Sequence, residues 1–153
     1  MQNFEKLVLD ASRHLRLADH LTFVTYPMLK DAKLLLSILD NLDKTFKAGL
    51  DAFLYYELLY KRISSFPQDL KSKLDLFQRT SAMRYGLNEY PIIIREIDFL
   101  LKKHKESPVE FVKDGRLVIC SDSYRLKVIQ IEDLKKYLLK AKTFILRLSN
   151  INS

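Results

Sequence analysis

The chain has 153 residues, of which 48% are hydrophobic and 29% are charged, and its net charge is +7. This balance is ordinary for a globular protein and argues against wholesale disorder. No apolar run approaches the ~20 residues that a membrane-spanning helix needs. We therefore expect a cytoplasmic protein that folds as a single domain over residues 1–153 and does not enter a membrane.

The positive charge is concentrated towards the C-terminus. The net charge is −1 over residues 1–60, +2 over residues 61–100 and +6 over residues 101–153. A local excess of this kind attracts phosphate backbones or acidic proteins. A lysine-rich, fully solvated surface would give the same distribution, so both interpretations stay open.

The spacing of apolar residues predicts two long helices at the start of the chain. The first runs from about residue 3 to 25 and ends at Tyr26-Pro27, because the residue before proline disfavours helical geometry. The second runs to about residue 63 and carries a heptad-like seam from Leu35 to Ile63. Gly49 lies on that seam, where a missing side chain would allow a neighbouring helix to approach closely.

Three further helices follow. One starts near Asp69 and ends at Gly86, whose glycine suits a helix C-terminus. The next starts near Pro91 and ends at about residue 106 in a basic run. The last opens with Glu132 and Asp133 and carries its own apolar stripe.

Between the last two helices the period changes to that of strands. The segments VEFVK and RLVIC flank Asp114-Gly115, a strong hairpin signal, and after a turn at residues 121–123 the segment YRLKVIQI alternates as a third strand. The predicted fold class is therefore mainly α: a single-domain bundle of about five helices with a small β-hairpin or three-stranded meander before the last helix.

The segment FLYYELLY, residues 53–60, is apolar on more than one side of its helix. Leu54, Tyr55, Leu58 and Leu59 cannot all face the seam that begins at Leu35. Either several helices of the same chain surround this segment, or part of it is a homodimer surface.

The stretch DASRHLRLADH suggests one catalytic hypothesis. Arg13 and His20 are two helical turns apart and lie at nearly the same angle around the helix. An imidazole can take a proton from a ribose 2′-hydroxyl, and a guanidinium can stabilise the charge that develops on the phosphate, without a metal ion. A solvated or interface face is the alternative interpretation.

This arrangement resembles the HEPN domains, small and often dimeric helical proteins. Many are metal-independent ribonucleases with an Arg-x(4–6)-His motif, which Arg13-HLRLAD-His20 fits. The likeness is one of architecture over residues 3–150. His14 stands where the family usually has a polar residue after the arginine, and the active families carry the motif later in the domain. The resemblance implies Arg13 as the phosphate-stabilising group and His20 as the general base.

The basic C-terminal region suggests a second site, for nucleic acid. Lys136, Lys140 and Arg147 share one face of the last helix, and the strand before it is expected to present Arg125 and Lys127 outward. Lys113 and Arg116 flank the hairpin turn, and Tyr124 could offer a stacking surface. Cations that repeat on a strand and an adjacent helix could hold a nucleic-acid backbone.

No cofactor or metal site is predicted. The three histidines have no neighbouring cysteine, His104 lies among lysines, and no phosphate-binding glycine loop or nucleophile elbow occurs. Cys120 lies within an apolar strand, which favours a small core residue over a nucleophile.

Three functions are consistent with the sequence. The first is a non-enzymatic binding module whose basic C-terminal third contacts RNA or another acidic partner. The second is a metal-independent ribonuclease, like those that act as toxins, which would use Arg13 and His20. The third is a structural homodimer that uses its tyrosine-rich helix as the interface.

Overall fold

The protein is a helical bundle with a small three-stranded sheet before its last helix, as the sequence predicts. The computed structural model describes residues 2–106, 109–120 and 126–151. The elements in chain order are α1 (Gln2–His20), a π-helical turn (Leu21–Thr25), α2 (Tyr26–Leu29), α3 (Lys33–Leu59), α4 (Leu70–Arg79), α5 (Ser81–Tyr85), α6 (Tyr90–Glu106), β1 (Val109–Lys113), β2 (Arg116–Cys120), β3 (Leu126–Ile129) and α7 (Ile131–Ser149).

Helix α3 occupies the centre because it is apolar around most of its circumference. The seam predicted from Leu35 is buried as far as Tyr56, and α1, α4, α5, α6 and α7 all pack on this helix. In the segment FLYYELLY, Leu54 is fully buried and Tyr55 is half-buried. Helices of the same chain therefore cover most of this segment, while Tyr60 at its end is exposed, and the homodimer surface stays a prediction.

Two helices approach each other closely at Gly49, as predicted. A Cβ atom at Gly49 would lie 2.7 Å from Cε2 of Phe144 on α7. The Phe144 ring is itself buried among aromatic rings, with centroids 5.1 Å from Phe53 and 4.7 Å from Tyr90. The glycine thus lets α7 place its phenylalanine directly against α3.

The predicted break at Tyr26-Pro27 is wrong. Tyr26 keeps helical angles (φ −61°, ψ −46°), and its N–H bonds the carbonyl of Leu21, five residues back. The π-helical turn is followed by α2, and Pro27 lies in the first turn of α2, where a proline is tolerated. The helical chain therefore continues to Leu29 and ends at Lys30, which is left-handed (φ 50°).

Helix α3 ends at Leu59, four residues before the predicted end at Ile63. Lys61 adopts a left-handed conformation (φ 57°), the N–H of Arg62 bonds the carbonyl of Glu57, and the N–H of Lys61 bonds that of Leu58. These two bonds define a Schellman motif, here closed by a lysine where glycine is usual. A non-glycine residue in this region costs about 1 kcal/mol or more, so the turn must be held by contacts that Arg62 makes.

The third predicted helix is divided in two. Asp69 is the N-cap of α4, where its side chain accepts a hydrogen bond from the N–H of Ser72 at 2.9 Å. Thr80 leaves helical geometry (φ −119°, ψ −91°) and separates α4 from α5. Gly86 ends α5 in the left-handed conformation (φ 70°), as predicted.

The predicted hairpin is present, and its two turn residues, Asp114 and Gly115, both have positive φ, as a type I′ turn requires. The strands pair in the order β1-β2-β3, all antiparallel. Leu117, Ile119 and Ile129 bury one face of the sheet against the helices. The predicted turn at residues 121–123 and the start of the predicted third strand lie outside the described residues.

Within the part of the chain that the structure describes, no helix is both long enough and apolar enough to cross a lipid bilayer.

Gly49→Ala is expected to destabilise the protein, since its new methyl group would overlap Phe144, whose ring has no room to move. Overpacking of this kind costs about 1–3 kcal/mol and outweighs the gain in helix propensity. Urea unfolding measures the change. The double variant Gly49→Ala/Phe144→Leu should lose less stability than the sum of the losses in the two single variants, because the smaller side chain relieves the clash. A loss equal to that sum would contradict the contact.

Candidate nucleic-acid interface

Arg13 and His20 are both exposed on α1, and the structure does not join them. The Nη2 of Arg13 contacts Oδ1 of Asp10 at 3.3 Å, which is a surface ion pair one turn back on the same helix. No hydrogen bond or ion pair among the described residues links Arg13 to His20. His14 instead faces α3, where its Nδ1 lies 3.1 Å from Oδ1 of Asn41. The catalytic pair therefore stays a prediction.

The predicted hairpin cations lie beside the turn that joins β1 and β2. Lys113 and Arg116 are exposed and are paired in register beside the turn. Arg116 lines a small recess together with Asp114 and Glu132. Because these two carboxylates share the recess, the hairpin tip is not the uniformly basic surface that the sequence suggested. Arg125 and Tyr124 lie outside the described residues.

Lys127 does not point outward, as the strand alternation predicted. It is in register with Ile119 of β2, and residues opposite each other in a sheet share a face. Ile119 is fully buried, so Lys127 lies on the inner side, where it is half-buried. The exposed side chains of β3 are Leu126 and Val128. The prediction was wrong because the strand's two faces were assigned in the opposite sense.

The inward direction of Lys127 brings its ammonium group onto α6. Its Nζ lies 5.3 Å from the centre of the Phe99 ring, and the Nζ of Lys103 lies 5.4 Å from the same centre. The ring is 43% exposed, so it is available to a ligand. No carboxylate of the described residues pairs with Lys127, whereas the Nζ of Lys103 lies 3.7 Å from Oε2 of Glu106. The structure thus places two ammonium groups within cation–π distance of an accessible aromatic ring.

The ring also borders an open groove of about 380 Å³ between α4 and α6. Its charged lining is mainly basic: Lys71, Arg95 and Lys102, with Asp98. Arg95 pairs with Asp75 at 3.3 Å, whereas no carboxylate among residues 2–106, 109–120 and 126–151 pairs with Lys71. We call Phe99, its two lysines and this groove the Phe99 surface.

Of the three predicted cations on α7, Lys136 lies nearest the Phe99 surface. It lines a groove with Leu100, the residue after Phe99, and with Val128, the residue after Lys127. Lys140 is already paired, because its Nζ lies 2.9 Å from Oε2 of Glu89. Arg147 is eleven residues beyond Lys136, about 16 Å further along the helix, so the α7 cations do not form one site.

A similar pair of lysines flanks Phe23, which is 52% exposed. The Nζ atoms of Lys135 and Lys142 lie 5.7 and 5.5 Å from its ring centre. However, Lys142 is paired with Asp19 at 2.7 Å, whereas Lys127 beside Phe99 has no carboxylate partner among the described residues. Phe23 therefore has the same local chemistry as Phe99 without the same surroundings.

The residues missed by sequence reasoning are Phe99, Lys103 and Lys71. Phe99 lies off the buried stripe of α6, which is formed by Ile94 and Ile97. An aromatic residue on the polar side of a helix, directly before a run of lysines, was a usable signal. Lys71 carried no such signal, since only the packing of α4 beside α6 brings it to the groove.

Lys47 on α3 pairs with Asp98, which lines the groove. Its Nζ lies 2.8 Å from Oδ1 of Asp98 and 3.0 Å from Oδ2 of Asp43. Burial raises the pKa of Asp43 above its ordinary value, and the bond from Lys47 offsets this only in part. Burial acts in the same direction on Asp98, but hydrogen bonds from Lys47 and Lys102 outweigh it and lower the pKa of Asp98. Asp98 therefore holds Lys102 of the groove and links α6 to Lys47 on α3.

The described residues include no group of three or more histidine, cysteine or acidic side chains that could hold a metal ion.

The lowered pKa of Asp98 predicts a loss of stability in acid. A carboxyl group whose pKa is lower in the folded state stabilises the fold above its unfolded pKa, and this contribution is lost as the pH falls through the folded pKa. Asp98→Asn should therefore cost on the order of 1 kcal/mol at neutral pH. Thermal unfolding of both proteins between about pH 7 and about pH 2 tests this. The two curves should converge at the acid end; a constant difference at every pH would contradict the assignment to Asp98.

No protein-family model, curated protein or solved structure matches this chain.

Proposed function

We propose that this protein is a non-enzymatic module that binds single-stranded RNA through the Phe99 surface. The observation that carries the proposal is the half-exposed Phe99 ring with the ammonium groups of Lys103 and Lys127 each within 5.4 Å of its centre. Proteins that bind single strands combine exposed aromatic rings, on which bases stack, with cations that follow the phosphate backbone.

The same residues favour RNA over an acidic protein as the partner. An acidic peptide would be held by the lysines alone and would have little use for an exposed aromatic ring. A base stacked on Phe99 would use the ring, while its phosphates would meet Lys103 and Lys127. From there the groove offers Lys71 to the following backbone, and Lys136 extends the basic surface on the side of β3.

The proposal includes a HEPN-like architecture. That architecture assigns no residue to the Phe99 surface. A HEPN-like bundle that binds RNA without cleaving it requires neither Arg13 nor His20. The alternative is a metal-independent ribonuclease that would use both residues.

Removal of the ring is the first test. Phe99→Ala should weaken the binding of a labelled single-stranded RNA by about 1–3 kcal/mol, which is roughly 5- to 150-fold in Kd, because one stacked base loses its support. Fluorescence anisotropy at one fixed salt concentration gives the Kd. The matched control is Phe23→Ala, which removes the other exposed phenylalanine flanked by two lysines and should leave the Kd unchanged. Equal losses in both variants would mean that the protein has no specific RNA surface.

Reversal of one charge is the second test. Lys127→Glu should weaken binding and should also reduce the slope of log Kd against log salt by about 0.7 for each phosphate that the protein no longer neutralises. Lys135→Glu makes the same change of charge beside Phe23 and should alter the slope by much less. If the slope is the same in both variants, the attraction comes from the net charge of the protein and not from this surface.

The same RNA incubated in EDTA separates binding from catalysis. Intact RNA on a denaturing gel supports the binding module. Cleavage by the wild-type protein that is lost in His20→Ala would overturn it in favour of the ribonuclease.

A further inference from the structure

We propose that Arg62, Arg84 and Arg147 form a second anion site that binds a phosphate monoester. These residues lie at the end of the bundle where α3 and α5 terminate, and none belongs to the Phe99 surface. The inference is independent of RNA binding.

The site is built around a buried carboxylate. Glu57 near the end of α3 is completely buried. Its Oε1 accepts hydrogen bonds from Nε of Arg84 and Oγ of Ser81, both at 3.3 Å, and its Oε2 lies 3.5 Å from Nη1 of Arg62. A buried carboxylate needs such partners, because an unpaired charge inside a protein is costly. Glu57 therefore fixes the positions of two guanidinium groups.

The third arginine joins them at Tyr85. Nη1 of Arg62 lies 3.5 Å from the hydroxyl oxygen of Tyr85, and Cζ of Arg147 lies 4.9 Å from the centre of the same ring. Arg84 is the residue directly before this tyrosine. Arg62 and Arg147 thus both contact the Tyr85 side chain, and Arg84 joins Arg62 at Glu57.

The three arginines carry more positive charge than the neighbouring carboxylate neutralises. Glu57 is the only carboxylate among the described residues that pairs with any of the three arginines, so two positive charges remain uncompensated. Arg84 bonds Glu57 through Nε, and its terminal amino groups make no hydrogen bond within residues 2–106, 109–120 and 126–151. Its side chain is 44% exposed and that of Arg62 is 33% exposed, so both can reach a ligand.

The chemistry of this arrangement selects the ligand class. Guanidinium groups form paired hydrogen bonds with phosphate oxygens, and a phosphate monoester carries nearly two negative charges at neutral pH. The exposed ring of Tyr60, over which Arg62 lies at 5.3 Å, adjoins the cluster. A nucleoside monophosphate would supply a dianion for the arginines and a flat base for this ring.

Isothermal titration calorimetry with inorganic phosphate, adenosine monophosphate and adenosine tests the site. Binding of both phosphates without binding of adenosine supports the proposal, and tighter binding of adenosine monophosphate identifies an ester as the preferred source of the phosphate. The absence of binding by either phosphate at millimolar concentrations overturns the proposal. Equal binding of adenosine and its monophosphate also overturns it, since the phosphate would then contribute nothing.

Variants assign the binding to the cluster. Arg147→Gln removes a guanidinium group that does not contact Glu57 and should weaken the binding of phosphate by roughly tenfold or more. Arg84→Gln, checked for folding by thermal unfolding, should give a loss of similar size. Arg16→Gln on α1 removes the same charge from an exposed position outside the cluster and should leave the affinity unchanged. Unchanged affinity in Arg147→Gln, or an equal loss in Arg16→Gln, would overturn the assignment.

Discussion

The burial of α3 on most of its surface is the constraint on which the rest of this structure depends. Gly49 meets this demand by letting Phe144 of α7 lie directly on the helix backbone. At the C-terminal end the same demand buries Glu57 completely. The left-handed Lys61 turns Arg62 back to that carboxylate, and the break at Thr80 precedes Ser81 and Arg84, which also contact it. The groups that neutralise the buried Glu57 thus follow two irregular backbone positions, Lys61 and Thr80.

Ion pairing decides which of the many cations remain available to a partner. Lys47 is held by Asp98 of α6 and Lys140 by Glu89 in the turn before α6, so these lysines contribute to packing and little to external binding. Lys71 and Lys127 have no such partner among the described residues, and the arginines around Glu57 outnumber it. The net charge of the chain is therefore a poor guide to its binding surfaces. The positions at which cations exceed carboxylates are a better guide, and both proposed sites lie at such positions.

The sequence predicted features whose cause is local. The cap at Asp69, the left-handed Gly86 and the turn at Asp114-Gly115 each follow from the backbone preferences of one or two residues. The π-helical turn before Pro27 and the left-handed Lys61 oppose such preferences. At Lys61 the irregular turn accompanies a contact between Arg62 and Tyr85, which lies 23 residues further along the chain. A pattern read along the sequence cannot contain that contact.

The sequence by itself determined the fold class, the order of the elements and most of the core, because the apolar period of each segment selects a helix or a strand and the face that it buries. Only the tertiary structure decided the composition of the candidate sites. The register of β3 turned Lys127 towards Phe99, and the packing of α4 beside α6 added Lys71. Arg62 and Arg84 meet at Glu57, whose buried charge they neutralise, and α7 brings Arg147 to Tyr85, which Arg62 also contacts. Exposed charged side chains leave no periodic pattern in the sequence, so their convergence is set by helix packing and strand register.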